Sequence, residues 1–514
     1  MRLFQSKYTT KNFQIGSPEA EAESQFRSKI KLSDVFQDYL EILPELEYEK
    51  FIITGRKGSG KTAIGEHLLE ESKNKPNLFC DFIRKADLDI EKIVQLGKEQ
   101  GHKIEQGLLF KWIILIKLLK LISQNEGLSN VKGIKDLKAF IKRNTGYVDI
   151  KNYEVEELIK NQGFDIKIDH FKSFLAKYGK ELKEKSGKAP FFKLLPHLQD
   201  AISEVLNSEE NKENTNKYIL IFDDLDIGFK NDNKISVEIL LDLLRISKDF
   251  NNNVFGKNNL DVKIIILLRT DIACILKRES DDSAKIFSSY EIPIVWYNHE
   301  LFKEDENLLK IKQFINKRIR INFERNHLPM TYKNDPWKSL IADDLSFYVN
   351  GSFKYVLDHT FIRPRDFILF FKPLSTFQFP IPLSQQDINK LLVKFASELV
   401  DELSNELNSS LKRSTIERLF KVLRSNVDSF PMSVEKFEKL LNDTEFDGIN
   451  KYDLFELLFQ FSIIGNKDLK SPKVCFKHRE GPTENVTFNK DLEIVLPFII
   501  KVFLKQVHEN NYSH

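Results

Sequence analysis

The sequence predicts an α/β protein whose core is a parallel β-sheet covered by helices. Short β-branched and apolar runs alternate with longer amphipathic stretches in the first part of the chain, which is the pattern of such a sheet. Beyond Trp296 the apolar spacing becomes helical throughout. Five runs are predicted strands, the last of them the weakest: residues 51–54, 78–83, 218–222, 262–268 and 291–296.

The length of 514 residues is too great for one hydrophobic core and indicates several domains. Between the second and third strands, the pattern is one of helices joined by polar turns, which predicts a helical insertion at about residues 100–212. Pro380 and Pro382 mark residues 377–383 as a linker, because proline ends regular structure. The predicted domains are an N-terminal helical segment at 1–45, the sheet core with its insertion at 46–300, a helical lid at 301–376 and a C-terminal domain at 377–514.

The end of the C-terminal domain has the pattern of a winged helix. A helix is predicted at residues 454–461, and two short runs at 474–477 and 486–488 flank a Gly481-Pro482 turn. A final apolar helix is predicted from Leu492. The C-terminal domain is therefore expected to be helical and winged-helix-like.

The net charge and the cysteine content limit the class of protein to which the chain can belong. The 78 basic and 76 acidic residues leave a net charge of +2, so no global field draws the chain to nucleic acid or to a membrane. The three cysteines are far apart in the sequence, which favours a reducing compartment. The most apolar run, residues 112–122, is too short for a membrane-spanning helix and predicts a buried one. We expect a cytoplasmic protein without a membrane segment.

One local segment is basic enough to suggest nucleic-acid binding. Residues 171–193 contain seven lysines and two glutamates. Aromatic side chains that could stack on bases are interleaved with them: Phe171, Phe174, Tyr178, Phe191 and Phe192. The alternative is a pair of amphipathic helices with the aromatic rings inside and the lysines in water. The basic helix predicted at 310–325 is open to the same two interpretations.

A phosphate-binding loop follows the first predicted strand. The strand at 51–54 leads into a glycine-rich stretch, after which helical periodicity begins. In such loops the glycines let the backbone wrap a phosphate, and the N–H groups and the helix terminus hold the anion. Lys61 is expected at the β- and γ-phosphates and the Thr62 hydroxyl at Mg²⁺. The predicted nucleotide-binding residues are Gly55, Arg56, Lys57, Gly58, Ser59, Gly60, Lys61, Thr62 and Ala63.

The end of the third predicted strand could supply a metal ligand and a catalytic carboxylate. The apolar run at 218–222 ends in Asp223 and Asp224. Carboxylates at the end of a parallel strand face the ligand edge of the sheet, so Asp223 is predicted to hold Mg²⁺ and Asp224 to orient or deprotonate the attacking water. ATP and Mg²⁺ are therefore the expected ligands.

A guanine-recognition signature is matched in the wrong place. Residues 450–453 have the order Asn-Lys-x-Asp, but no apolar strand precedes them. Asn450 is therefore predicted to cap a helix, and the loop is assigned to ATP rather than GTP.

With these motifs, residues 16–375 resemble the AAA+ and STAND branch of P-loop ATPases, and especially bacterial KAP-like ATPases associated with anti-phage defence. The residues that carry the resemblance are Gly16 with the run 20–23, the loop 55–62, the acidic run 223–226, the strand 264–268 with the residues that follow it to 271, and the group 363–366. The resemblance implies that Arg269 senses the γ-phosphate and that Arg365 reaches the nucleotide from the lid. Arg269 could instead form a structural salt bridge, and Arg365 could begin a solvated helix.

Two functions of different classes fit these motifs. In the first, the chain is an ATP-driven switch, associated by its resemblance with anti-phage defence, that controls a protein effector. In the second, it is a nucleic-acid-dependent motor or loader that grips DNA with the winged helix and the basic insertion. The sequence contains no secure arginine finger, although Arg278 is a candidate. A homo-oligomer that supplies the missing cation from a neighbouring subunit is therefore expected.

Overall fold

The computed structural model describes residues 8–84, 106–144, 165–184, 186–225, 234–343, 351–408, 410–441, 450–471, 473–479 and 486–512. The chain forms two compact units, each with its own hydrophobic core. The sheet unit comprises Ile42–Thr54 and Ile64–Ile292. The helical unit comprises Met1–Glu41, Gly55–Ala63 and Pro293–His514. Within the described ranges, no helix combines the length and the apolarity needed to cross a membrane.

A five-stranded parallel sheet confirms the predicted α/β class, and it contains a strand at each of the five predicted runs. Its order is β2-β5-β6-β1-β7, and β5 pairs in parallel with both β2 and β6. Strand β5, between β2 and β6, is buried along almost its whole length, as expected of a parallel strand covered on both faces. The strands of this part of the chain are β1 Ile52–Gly55, β2 Leu78–Arg84, β3 Asp165–Lys167, β4 Lys188–Pro190, β5 Lys217–Asp223, β6 Val262–Arg269 and β7 Glu291–Pro293.

Helices precede, separate and follow these strands along the chain. The first twelve, numbered along the chain, are α1 Ala20–Glu23, α2 Leu32–Val35, α3 Ile42–Leu46, α4 Lys61–Asn74, α5 Gln106–Gln124, α6 Ile134–Arg143, α7 Asp169–Lys177, α8 Phe191–Leu206, α9 Glu209–Glu213, α10 Lys234–Asp249, α11 Thr270–Glu279 and α12 Asp281–Tyr290. Helix α10 continues into a π-helix, Phe250–Phe255. Helix α5 contains the most apolar run of the sequence and is buried as predicted, with Trp112 and Ile122 fully inside the core.

The described residues between β2 and β5 are mostly helical, but they also form a small antiparallel pair, β3 with β4, that was not predicted. A long-range contact supports it: the Asn144 side-chain amide donates to the Lys167 carbonyl oxygen at 2.9 Å and accepts from its N–H at 3.0 Å. Because this pairing joins residues far apart in sequence, no local periodicity indicates it.

The basic segment at 171–193 has its aromatic rings mainly inside the core. Phe171 and Phe174 are fully buried and Phe191 is 8% exposed, whereas Phe192 is 49% exposed. Lys177 pairs with Asp136, and Lys193 with Glu184 at 2.6 Å. The amphipathic interpretation describes this segment, and its buried rings are not available to stack on bases.

The helical unit continues with α13 His299–Glu304, α14 Lys310–Arg325, α15 Pro336–Leu340, α16 Gly351–Asp358, α17 Pro364–Phe371, α18 Gln385–Leu407, α19 Arg413–Ser425, α20 Val434–Leu441, α21 Lys451–Gln460 and α22 Phe498–Tyr512. Asn450 caps α21 as predicted, since its side chain accepts from the Asp453 N–H at 2.9 Å. One core extends from α14 through α18 to α22.

The stretch predicted as a linker, residues 377–383, is part of this core. Phe379, Ile381 and Leu383 are each less than 10% exposed. The carbonyl oxygen of Phe379 accepts from the Thr10 N–H at 2.8 Å, and the Ile381 N–H donates to the carbonyl oxygen of Tyr8 at 2.9 Å. The N-terminal segment therefore pairs with this stretch, and the residues before and after it share one core.

The last part of the helical unit contains a three-stranded antiparallel sheet of order β10-β8-β9, formed by β8 Gly465–Lys467, β9 Val474–Cys475 and β10 Glu493–Val495. The run predicted as a strand at 486–488 is not one; the strand lies at 493–495, and the helix predicted from Leu492 begins at Phe498. The Phe488 N–H instead donates to Glu456 Oε2 at 2.7 Å. An isolated bridge from Met432 to Ile494 extends the sheet.

A buried ion pair ties the N-terminal segment to α14. Arg318 Nη1 and Nη2 lie 2.7 and 2.8 Å from the two carboxylate oxygens of Glu23, and both side chains are at most 4% exposed. Arg318 Nη1 also donates to the Ile15 carbonyl oxygen at 2.8 Å. Gly16 has no room for a side chain, because a Cβ there would lie 2.2 Å from Arg318 Nη1. This contact explains the glycine and the glutamate that precede the sheet core in sequence.

We expect Glu23→Gln to lower the free energy of unfolding by about 3–5 kcal/mol, because it leaves the Arg318 charge buried without its partner. The matched control is Asp34→Asn, which breaks the exposed pair of Asp34 with Arg325 on the same helix, 2.6 Å long. That change should cost less than about 1 kcal/mol. Urea unfolding of both variants measures the difference, and equal losses would contradict the structural role given to Glu23.

Candidate phosphate-binding site

The glycine-rich loop has the backbone conformation that its sequence requires. Strand β1 ends at Gly55 and α4 begins at Lys61. Between them, Gly58 and Gly60 have φ angles of +76° and +101°, which residues with side chains rarely adopt. A Cβ added at Gly60 would meet no atom within 4 Å, so open space lies on that side of the loop.

The side chains of the loop fit a phosphate group. Lys61 Nζ donates to the carbonyl oxygens of Gly55 and Arg56, at 2.9 and 3.3 Å, so the ammonium lies over the loop. The hydroxyl of Ser59 is buried and has no hydrogen-bond partner among the described residues. Together with the positive terminus of α4, these groups suit an anionic ligand such as a nucleotide phosphate.

Three donors hold carbonyl oxygens of the loop, and two of them come from the stretch predicted as a lid. Arg363 Nη1 donates to the Lys57 carbonyl oxygen at 3.0 Å, and the Arg365 N–H donates to that of Gly58 at 3.3 Å. Trp296 Nε1 donates to the carbonyl oxygen of Ser59 at 2.8 Å. Successive loop carbonyls are therefore fixed by residues from two other segments of the helical unit.

The lid donors are themselves positioned by Asp366. Its carboxylate accepts from the backbone N–H groups of Phe361 and Arg363, at 2.9 and 3.1 Å, and from Arg363 Nε at 2.9 Å. Between these two residues, Ile362 has a φ of +59°. For a β-branched residue this conformation is strained, by about 1–3 kcal/mol, and it persists only where its surroundings over-determine it.

Arg363 is 2% exposed and is surrounded by acids. Burial opposes its charge, but Asp366, Glu406 and Glu402 outweigh that effect and raise the pKa of the guanidinium. Burial also raises the pKa of Glu402, against the lowering effect of Arg363 and Arg365. The sequence analysis gave Arg363 no role of its own. In the structure it is a buried cation that donates to a carbonyl oxygen of the loop.

Arg365 packs against the loop rather than standing free in solvent. A Cβ at Gly58 would lie 2.8 Å from the Arg365 Cβ. Arg365 Nε donates to the Pro18 carbonyl oxygen at 3.0 Å, and Nη1 lies 3.5 Å from Glu402. A role for Arg365 at the nucleotide remains a prediction.

In the sheet unit, acids end strand β5 as predicted. Asp223 is the last residue of β5 and is 3% exposed, and its Oδ1 accepts from the Asp224 N–H at 2.9 Å. Asp224 has a φ of +56°, which redirects the chain directly after the strand. Because β5 and β1 belong to one sheet of parallel strands, β5 ends in these acids at the same edge of the sheet as that at which β1 ends.

Two other charged pairs lie at strand ends in the sheet unit. Arg269, at the end of β6, forms a two-point salt bridge with Asp271, at 3.0 and 2.6 Å, which is the structural alternative considered for it. Arg84, at the end of β2 and opposite Asp223 in the register, donates to Glu66 of α4 at 2.5 Å. Sequence reasoning missed this second pair; the only signal for it was an arginine that ends a predicted strand.

Among the residues that the structure describes, no group of three or more His, Cys, Asp or Glu side chains could hold a metal ion. The predicted Mg²⁺ ligands, Thr62 and Asp223, belong to the helical and the sheet unit respectively, and their role stays a prediction. Magnesium usually takes one or two protein ligands beside substrate phosphates, so the prediction needs no larger group of protein ligands.

Comparison with known proteins adds one similarity. Residues 309–404 match the family model of the FunZ-associated C-terminal helical domain. No curated protein is significantly similar to the chain. The matched stretch includes α14 to α17 and most of α18, and therefore the residues Arg363 and Asp366 that hold the loop.

Replacing Gly58 with Ala should destabilise the helical unit by about 2–5 kcal/mol, because a positive φ costs about 1–2 and the clash with Arg365 a further 1–3 kcal/mol. Gly179→Ala is the control, since Gly179 also has a positive φ, +69°, but a Cβ there meets nothing within 4 Å. Thermal unfolding should show the larger loss for Gly58→Ala. Equal losses would mean that the lid does not pack on the loop.

Proposed function

We propose that the protein is an ATP-binding and ATP-hydrolysing P-loop ATPase that works as a molecular switch. The observation that carries the proposal is the loop between β1 and α4, in which Gly58 and Gly60 have positive φ angles and Lys61 lies over the loop backbone. A glycine loop between a strand and a helix is the device by which many proteins bind nucleotide phosphates.

The residues have separate roles in this proposal. The loop amides and Lys61 would bind the phosphates, and Thr62 and Asp223 would hold Mg²⁺, which would supply positive charge beside the transferred phosphoryl group. Asp224 orients or deprotonates the attacking water. Arg269 and Arg365 are the proposed cations, and each would have to exchange its present carboxylate partner for phosphate to act directly.

The switch would transmit the nucleotide state through the lid. Arg363 and Arg365 contact the loop directly, so a loop that changes shape on binding or hydrolysis would change its contacts with α17. The regulated partner is proposed to be an effector protein in bacterial anti-phage defence, on the resemblance to KAP-like ATPases. Homo-oligomerisation would let Arg278, exposed in the last turn of α11, complete a neighbouring site.

The alternative is a nucleic-acid-dependent ATPase. It is favoured by the pairing of Met432 with β10 and of β10 with β8, which follows the strand pairing expected of a winged helix. The buried rings of the basic insertion speak against it. Stimulation of the ATPase by DNA or RNA that weakens steeply with salt would favour this alternative over the partner switch.

Lys61→Ala should abolish ATP binding while leaving the fold intact, because the lysine supplies charge to the ligand and not packing to a core. Lys73→Ala, an exposed position in the last turn of the same helix, is the control and should bind normally. Titration with a fluorescent ATP analogue measures both. Unchanged binding in Lys61→Ala would overturn the proposed function.

Asp224→Asn should still bind ATP but hydrolyse it more slowly by a factor of roughly 10² or more, since the metal ligand Asp223 remains and the carboxylate that orients or deprotonates water is lost. Asp282→Asn, at an exposed acid of α12, should leave both properties unchanged. Single-turnover hydrolysis and nucleotide titration separate the two effects. If Asp224→Asn loses binding as well, the roles of the two aspartates are wrongly assigned.

A further inference from the structure

Phe361 lies at the centre of a cluster that involves the loop, the lid and the C-terminal part of the helical unit. Its ring is 1% exposed. The Cζ atom of Arg56, from the loop, lies 5.4 Å from the ring centroid, and that of Arg363 lies 5.7 Å from it. The ring of His478 lies 4.8 Å away at an interplanar angle of 41°. The Phe361 ring therefore contacts a cation of the loop, a cation of the lid and an imidazole from far along the chain.

The segment that carries His478 is anchored to the lid at a second point. His478 belongs to a short 3-10 helix, Lys477–Arg479, that follows β9. Arg479 Nη2 donates to Asp358 Oδ1 at 2.8 Å, at the end of α16. The His478 N–H donates to Ser462 Oγ at 3.1 Å. The 3-10 helix thus contacts the lid at Asp358 and Phe361, close to the turn that leads into α17.

The charges of this cluster act on His478 from several elements. Burial, followed by Arg479, Arg56 and Arg363, lowers the pKa of His478 well below its usual value of 6.5. The ring is consequently neutral at pH 7, which lets it lie among three arginines. A displacement of Arg56 in the loop would change both the packing and the electrostatic field at His478.

The turn beside Phe361 is strained and is held by contacts from both sides. Ile362 has a strained φ of +59°, and the hydrogen bonds to Asp366 on either side of it maintain that conformation. Strained backbone that depends on its surroundings can change conformation when one of its contacts is lost. Here those surroundings include the loop on one side, through Arg363, and the 3-10 helix on the other, through Phe361 and Asp358.

We propose that Phe361 and His478 are positioning residues that couple the phosphate loop to the C-terminal part of the helical unit, an inference that rests on the proposed binding of ATP at this loop. Triphosphate binding alters the position of Arg56 and Lys57, and the stack on Phe361 transmits the change to the 3-10 helix and to the adjoining β8–β9 pair. Because coupling between two sites is reciprocal, a change at His478 must also alter nucleotide affinity.

Hydrogen–deuterium exchange of the full chain with and without a non-hydrolysable ATP analogue and Mg²⁺ tests the coupling. In the unmodified protein the nucleotide should slow exchange of peptides that cover residues 474–479 by about fivefold or more. Phe361→Leu should still bind the analogue but lose this distant protection. His478→Ala should raise the Kd of the analogue about fivefold.

Phe371→Leu is the matched control, because Phe371 is also 1% exposed in α17 but packs on Trp337, with ring centroids 5.7 Å apart. It should keep the protection at 474–479, and thermal unfolding establishes that both leucine variants are folded. If the unmodified protein does not bind the analogue, the proposed function fails and the coupling with it. If it binds but residues 474–479 are unaffected, if Phe361→Leu keeps the protection, or if His478→Ala binds with unchanged Kd, the coupling is overturned and the ATPase proposal stands.

Discussion

The conformation of the glycine-rich loop between β1 and α4 depends on the buried pair of Arg363 and Asp366. Asp366 fixes the guanidinium and two backbone N–H groups before α17, and the guanidinium then holds the Lys57 carbonyl oxygen. A buried arginine is costly to desolvate unless its donors are satisfied, which is why acids surround it. The same acids keep it from acting as an ordinary surface cation, so its effect on the loop is one of position.

This arrangement gives the loop two kinds of connection. It continues covalently from β1 into α4, and its carbonyl oxygens are held by donors from Trp296, Arg363 and Arg365. In the proposed switch, these hydrogen bonds are the contacts that nucleotide binding would change. The N-terminal segment contributes as well, since Pro18 accepts from Arg365 and Glu23 binds Arg318. Together these contacts make α14 and α17, both within the stretch similar to the FunZ-associated helical domain, the structural support of the loop.

The sequence predicted the elements that depend on local patterns. All five strands of the main sheet, the buried helix at 112–122 and the Asn450 cap are present. The errors fall where the structure depends on distant partners. The β3–β4 pair and β10 are too short for a periodic signal, and residues 377–383 become part of a core because Tyr8 and Thr10 pair with them. Proline correctly indicated irregular backbone there, but it does not reveal whether that backbone is buried.

The candidate site divides in the same way. The sequence by itself determined the glycine loop, Lys61, Thr62 and the acids at the end of β5, because each follows from residue type and from order along the chain. Only the tertiary structure decided that Arg365 packs on Gly58 and that Arg363, Phe361 and His478 form one cluster with the loop. The physical reason is the distance along the chain over which each interaction acts. Periodicity and turn chemistry act over a few residues. These side chains contact partners that the packing of whole helices brings near, some of them more than three hundred positions away.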